Sequence, residues 1–185
     1  MASKIKVDQI QTIDGTGTIA LQNQLSGMTT ASLPALGSAQ MPTGSVLQVV
    51  HGSYSTSVTV NSDSTFVSTG ASLAITPSST SSKILVMFNQ HVKIVNNNNA
   101  DQGAGFAIKR GTTTVWSTPA SYALYSHIGS NNNDSRQYQP LTYLDSPSTA
   151  SAVTYTSYLN EYGGGTAVAQ ADSNPTMITL MEIAG

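Results

Sequence analysis

From residue 46 onward, apolar and polar positions alternate in short runs separated by clusters of Ser, Thr, Asn, Gly and Pro. Alternation with period 2 puts one set of side chains on one face of an extended strand, and the turn clusters punctuate such strands at short spacing. The pattern predicts strands over residues 46–54, 58–60, 65–69, 73–76, 83–95, 105–109, 112–116, 136–144, 153–162 and 177–183. Residues 77–82, the four-Asn run 96–99, residues 130–134 and Gly163-Gly164-Gly165 read as turns between them. No helical period longer than about two turns occurs. Many short strands with turn clusters predict an all-β, antiparallel, jelly-roll-like sandwich. In the last run Met177, Thr179, Met181 and Ile183 alternate with Ile178, Leu180 and Glu182, so both faces are partly apolar. Such a strand has one face in the core and, on this reading, the other against a neighbouring subunit.

Before residue 44 the pattern differs. Residues 5–22 read as a strand, an Asp14-Gly15 turn and a second strand. Asp-Gly suits a type I′ turn because both central residues accept positive φ. Ile5, Val7, Ile10 and Ile13 break strict alternation after Asp8, which implies a bulge or one register shift. An extended connector follows, with a sparse apolar row of Leu25, Met28, Leu33 and Leu36 interrupted by Gly27 and Pro34. An isolated hairpin is marginal in water, and this row has no internal partner. The hairpin and connector therefore need another chain. The turn signal Pro42-Thr43-Gly44 divides an N-terminal region, residues 1–43, from a β domain, residues 44–185.

Composition narrows the function classes. Only 9% of the 185 residues are charged, against roughly 25% in ordinary soluble domains. Hydroxyls and amides replace the charges, with 26 Ser, 23 Thr, 12 Asn and 11 Gln. The net charge is −2 and the basic residues are scattered, which argues against a nucleic-acid partner. Cysteine is absent, so disulfides, thiolate metal sites and a Cys nucleophile are excluded. The longest apolar run, residues 84–88, is far too short to insert in a membrane. The first residues lack the apolar stretch of a signal peptide.

Candidate chemistry is sparse. His51, His91 and His127 stand at no metal-ligand spacing, so neither a metal nor another cofactor is expected. The nine acidic residues are dispersed. Asp134 with Asp145, or Asp101 with Asp172, are the carboxylate pairs a glycosidase would draw on, but nothing in the sequence selects either. The expectation is a protein that is not an enzyme. Gly163-Gly164-Gly165 lacks the Lys and helix start of a phosphate loop. Seven of the eight Tyr lie after residue 120. Tyr143 and Tyr155 fall in strand patterns, which makes them core or subunit-interface residues, and Trp116 reads as packed. The Asn-rich loops at residues 96–101 and 130–136 are exposed by composition. Asn96, Asn97, Asn98, Asn99, Asn131, Asn132 and Asn133 offer donors and acceptors suited to glycan hydroxyls, with Tyr138 as a nearby aromatic.

Lys4-Ile5-Lys6-Val7-Asp8-Gln9-Ile10-Gln11 followed by Asp14-Gly15 resembles the opening of many bacteriophage virion appendage proteins. So does the block Pro42-Thr-Gly-Ser-Val-Leu-Gln-Val-Val50. Ser81-Ser-Lys-Ile-Leu-Val-Met87 and Ile178-Thr-Leu-Met-Glu-Ile-Ala184 are similar to C-terminal domains of tail-fibre-like proteins, especially of cyanophage-like phages of marine bacteria. Residues 96–172 match no such pattern. The resemblance implies a homotrimer, assembled in the host cytoplasm, that is part of the virion. It attaches to other virion proteins of tail or capsid by its N-terminus and projects a β domain toward a host cell-surface glycan or protein. Ile5, Val7, Ile10, Ile13, Leu25, Met28, Leu33 and Leu36 are then the trimer and attachment contacts. Two other readings compete, a capsid decoration or cement protein and a short polysaccharide-degrading appendage.

Low charge implies that host binding rests on hydrogen bonds and stacking, multiplied by several copies per particle. Replacing both Asn runs by Gly/Ser loops of equal length is expected to lower adsorption of particles to host cells sharply. Adsorption of the unaltered particle should fall little with added salt. Unchanged adsorption of the loop variant would reduce both runs to plain turns.

Overall fold

The computed structural model describes residues 37, 40–63, 65–95, 101–118, 123–126 and 134–185. All of them fall in one unit, Gly37–Gly185. The expected contacts at Ile5, Val7, Ile10, Ile13, Leu25, Met28, Leu33 and Leu36 lie outside the described residues, as do Asn96 to Asn99, Asn131 to Asn133 and His127.

Two antiparallel sheets pack face to face. Sheet A is built from β1 (Val46–Tyr54), β2 (Val58–Val60), β4 (Lys83–Val95), β8 (Asp134–Asp145), β10 (Thr166–Ala169) and β11 (Thr176–Ile183). Sheet B contains β3 (Val67–Ile75), β5 (Gln102–Arg110), β6 (Thr113–Ser117), β7 (Leu124–Ser126) and β9 (Val153–Tyr162). The long β4 is the spine of sheet A. It pairs with β8 along one side, and with β11 and then β10 along the other. Beyond these, β1 pairs with β11 and β2 with β10, so sheet A is four strands wide. Sheet B runs β3–β9–β5, with β6 and β7 sharing the far side of β5. Apart from the β5–β6 hairpin and β6–β7, and the breaks within β1–β2 and β10–β11, each step along the chain crosses between sheets. That is the double Greek-key connectivity of a jelly roll.

The predicted strands at 46–54, 58–60, 83–95 and 153–162 match β1, β2, β4 and β9. The two runs 65–69 and 73–76 form one strand, β3, whose pairing with β9 slips between Ser68 and Ser72. Gly70 sits in that slip at φ 78, and a Cβ there would lie 2.6 Å from the Tyr54 hydroxyl. The glycine lets the Tyr54 ring lie across β3. The turn at Pro42-Thr43-Gly44 is closed by Ser45 N–H donating to Pro42 O at 3.0 Å, with Gly44 at φ 90. The short strands β7 and β10 were not among the predicted ones.

The core lies between the sheets. Ile84, Val86, Phe88, Val92 and Ile94 point inward from β4, and Phe106, Ile108, Tyr155 and Leu159 meet them from sheet B. Each such side chain contributes roughly 1.5–3 kcal/mol by leaving water. Trp116 and Tyr143 pack against this core, as their strand patterns implied. Buried polar groups bridge the sheets. Ser157 Oγ donates to Gln90 Oε1 at 2.6 Å and lies 2.5 Å from Thr69 Oγ1. The Gln170 amide continues the network, accepting from Thr176 Oγ1 and donating to Thr69 O. Because every such group is satisfied only in one alignment, the network fixes how the sheets sit on each other.

Four of the six margin strands are interrupted. Register shifts occur in β1 between Val46 and Gln48, in β3 between Ser68 and Ser72, and at β6 opposite Ile108 and Lys109. The fourth margin, β8, carries Pro140 opposite Asn89. Bulges and proline spoil a margin as a template for adding another strand.

At one end of sheet A the inward row is Gln48–Glu182–Ile84–Asp145. Both carboxylates are buried. Glu182 Oε1 accepts from Ser78 N–H, Ser78 Oγ and Ser82 Oγ at 2.7, 2.6 and 2.6 Å, and Oε2 accepts from Gln48 Nε2 at 2.6 Å. Asp145 Oδ2 accepts from Arg110 Nη1 at 2.9 Å and from the Tyr155 hydroxyl at 2.7 Å. Burial and the Asp145 carboxylate push the Tyr155 phenol up, so it stays a donor. Burial pushes the Glu182 carboxyl up, but hydrogen bonds from Ser78, Ser82 and Gln48 outweigh it and hold it below its ordinary 4.5. The folded state therefore binds fewer protons than the unfolded one as pH falls through this range. The stabilisation is complete above about pH 4.5 and is lost as pH drops through the lower folded value. Glu182→Gln is expected to cost about 1–3 kcal/mol at neutral pH, because a buried donor loses its acceptor. It should also flatten the acid limb of the stability curve. Urea unfolding at neutral and acidic pH reads both effects, and equal slopes for the two proteins would remove Glu182 from the account.

Candidate interaction face

One residue along each strand from the carboxylate row, the side chains point the other way. The outward row is Val49–Met181–Leu85–Leu144, apolar across all four strands. Val49 is 54% exposed and Leu144 47%, while Met181 and Leu85 are half-buried. The next outward row is His51–Thr179–Met87–Thr142, and the one after it Ser53–Met177–Asn89–Pro140. Met177 is 41% exposed. The ring of His51 lies 3.0 Å, through Nδ1, from Thr179 Oγ1. These three rows carry no Asp, Glu, Lys or Arg.

Polarity here is inverted relative to a free-standing sheet. Carboxylates point in, and Val49, Met181 and Leu144 point out. A one-residue slip would exchange the faces. The partners of Glu182 and Asp145 prevent it, since each carboxylate would leave its donors unpaired in the core. The last strand behaves as its alternation implied. Ile178 and Leu180 are buried in the core, and Met177, Met181 and Ile183 lie on the outside.

Farther along the same outward face the charges gather. Lys93 Nζ lies 2.8 Å from Asp134 Oδ2, Arg136 Nη2 3.3 Å from the same oxygen, and Arg136 Nε 2.8 Å from Asp172 Oδ2. The Arg136 guanidinium holds the Asp172 carboxyl low, and Asp172 in turn holds Arg136 high. Asp172 is presented by a short 3-10 turn, Ala171–Ser173, between β10 and β11. Gln170, Asp172 and Ser173 all take left-handed φ there, at 52, 55 and 61. His91 is buried beside this group, edge-on to Tyr138 with ring centroids 5.0 Å apart. Burial lowers its pKa, Asp172 opposes the shift and Arg136 adds to it, so the ring is neutral at neutral pH.

Tyr138 is 43% exposed on the face of sheet A, opposite His91. The strand predicted over 136–144 is longer by two residues at its start, since Asp134 and Ser135, read as loop, already belong to β8. Asp134 and Asp145 stand at opposite ends of that strand and do not meet. Asp172 pairs with Arg136, and Asp101 accepts a hydrogen bond from Tyr125. Among the described residues no group of three or more His, Cys, Asp or Glu is placed to hold a metal ion.

The outer face of sheet B differs in character. Ser72, Thr154, Thr156 and Thr114 occupy it beside Ala74, and Lys109 Nζ sits 4.3 Å from the Tyr158 ring centre. At its far end Tyr125 and Tyr162 flank Gly103. A cleft of about 250 Å³ lies at the end of the sandwich, between Met41 and Leu47 on one side and Ser79, Ser81 and Gly185 on the other.

No protein-family model matches the chain, and no curated protein matches it. Among solved structures it is similar to the infectious bursal disease virus VP2 subviral particle, at 12% identity and TM-score 0.37, over 83% of this chain and 42% of that one. It is also similar to the infectious bursal disease virus Gx strain structure, at 10% identity and TM-score 0.34, over 75% and 37% of the two chains. A third is dimeric latent PorU from Porphyromonas gingivalis, at 10% identity and TM-score 0.32, over 77% and 14%. The chain thus spans less than half the length of each of these proteins.

Proposed function

We propose that this chain is a structural virion protein, a trimeric fibre or fibre-like appendage that attaches through residues 1–43 and projects its β sandwich. The observation that carries the reading is the outward row Val49–Met181–Leu85–Leu144. It is held outward by buried carboxylates at a cost that a solitary domain has no reason to bear. Exposed apolar surface of this kind marks a contact with another macromolecule. The sequence resemblance at residues 4–15 and 42–50 supplies the kind of assembly, and the interruptions in β1, β3, β6 and β8 disfavour edge-to-edge growth at those strands.

Attachment is the work of the N-terminal region, and the β domain faces the host surface. The domain is expected to fold without residues 1–43, because its first strand is anchored by its own bonds. Gly44 N–H donates to Ala184 O, and Ala184 N–H to Ser45 O, both at 2.8 Å. Deleting Met1 to Thr43 should leave the circular dichroism of a folded β domain and remove the protein from purified particles. Normal copy number of the truncated protein would place the anchor elsewhere. A density map of the particle carrying the full chain separates a tail position from a capsid one, and a capsid position would convert the reading to a decoration or cement protein.

A further inference from the structure

We propose that the outer face of sheet A is where three copies of this chain meet, with their strands along a common axis. This rests on the oligomeric reading above and assigns it a surface and a geometry. With β4 at 13 residues, the face is about 43 Å long at about 3.3 Å per residue, and about 19 Å wide at four strands. In projection that is on the order of 800 Å², one partner's share of a standard interface. Its anatomy is that of an interface, with an uncharged apolar centre, the ionic groups Lys93, Asp134, Arg136 and Asp172 at one end and exposed Lys83 at the other.

The occupant is a second copy of the same face. The four charged groups at one end neutralise each other within the chain and Lys83 at the other end adds a single positive charge, so the surface presents little field to select an oppositely charged partner. The polar groups among its apolar residues, Thr142, Thr179, Asn89 and His51, each donate and accept, and so can pair with their own kind. Bulges in β1, β3 and β6 and proline in β8 disfavour strand addition at those margins, and the outer face of sheet B is hydroxyl-rich where this one is apolar.

Width sets the number. Three faces about 19 Å wide, closed as a triangular prism, stand about 5.5 Å from the axis. That is close to half the roughly 10 Å at which sheets pack, so side chains from three sheets fill the centre. In such a prism neighbours meet at the corners, where Val49 on β1 of one copy faces Leu144 on β8 of the next. These two margin positions are more exposed than Met181 and Leu85 between them. A face-to-face pair would instead cover the middle of the row best.

The chain has no cysteine, so the geometry is open to a clean test. The full-length double variant Val49→Cys/Leu144→Cys is treated with a short bis-maleimide and run on a denaturing gel. The expected product is a ladder ending at covalent trimer, with each single variant remaining monomeric on the gel. Both positions point away from the core, and circular dichroism checks that the variants fold. A ladder ending at dimer overturns the threefold arrangement. No cross-link from a protein that light scattering shows to be trimeric overturns the face and leaves the oligomeric reading standing. A monomer by light scattering overturns both. As an independent readout, Val49→Glu should reduce the solution mass, whereas Thr154→Glu on the outer face of sheet B should not. Equal masses for the two variants also overturn the assignment.

Discussion

Two buried carboxylates set the register on which the rest of sheet A depends. Glu182 joins β11 to the 78–82 turn and to β1, and Asp145 joins the end of β8 to β5 and β9 through Arg110 and Tyr155. An acidic group in a core is costly unless its lone pairs are met, and here each has several donors. The cost of breaking these sets is what keeps β8 and β11 from sliding by one residue. Everything on the outward face follows, including the exposure of Leu144 and Met181 beside their buried neighbours.

That arrangement explains what the sequence could and could not reveal. Strand positions were legible because alternation is a local property. Runs such as 83–95 and 153–162 carry it over many residues without interruption. Which side of a strand faces inward was harder to read. Leu144-Asp145 and Met181-Glu182 read alone would put the apolar residue inside. The reversal depends on Arg110, Tyr155, Ser78 and Gln48, each 10 to 134 residues away. Alternation on both sides of residues 177–183 did signal apolar residues on both faces, and Ile178 and Leu180 lie in the core while Met177 and Met181 lie outside it. The division of residues 65–76 into two strands came from Gly70, whose left-handed backbone interrupts the pattern without ending the strand.

Ion pairs and strain are confined to one end of the face. The β10–β11 break holds Asp172 in a left-handed conformation where it meets Arg136, and residues of this kind cost of order 1 kcal/mol or more each. The break lets one edge of β4 be shared by two strands, so β1 and β2 can bend away independently at the sheet margin. The Asn-rich segments predicted as receptor loops flank β4, β5 and β8, while Tyr138 belongs to the sheet itself. It meets His91 edge-on and keeps 43% of its surface exposed.

The position of β11 has a consequence for biosynthesis. Residues 176–183 lie between β1 and β4, pairing with strands that begin 130 and 93 residues earlier in the chain. Sheet A consequently has a gap at its centre until the ribosome has released this segment, and Met181 is not yet aligned between Val49 and Leu85. Long-range pairing of this kind is slow to form. A nascent chain thus carries no completed apolar face, and the row Val49–Met181–Leu85–Leu144 is assembled only with the finished sandwich.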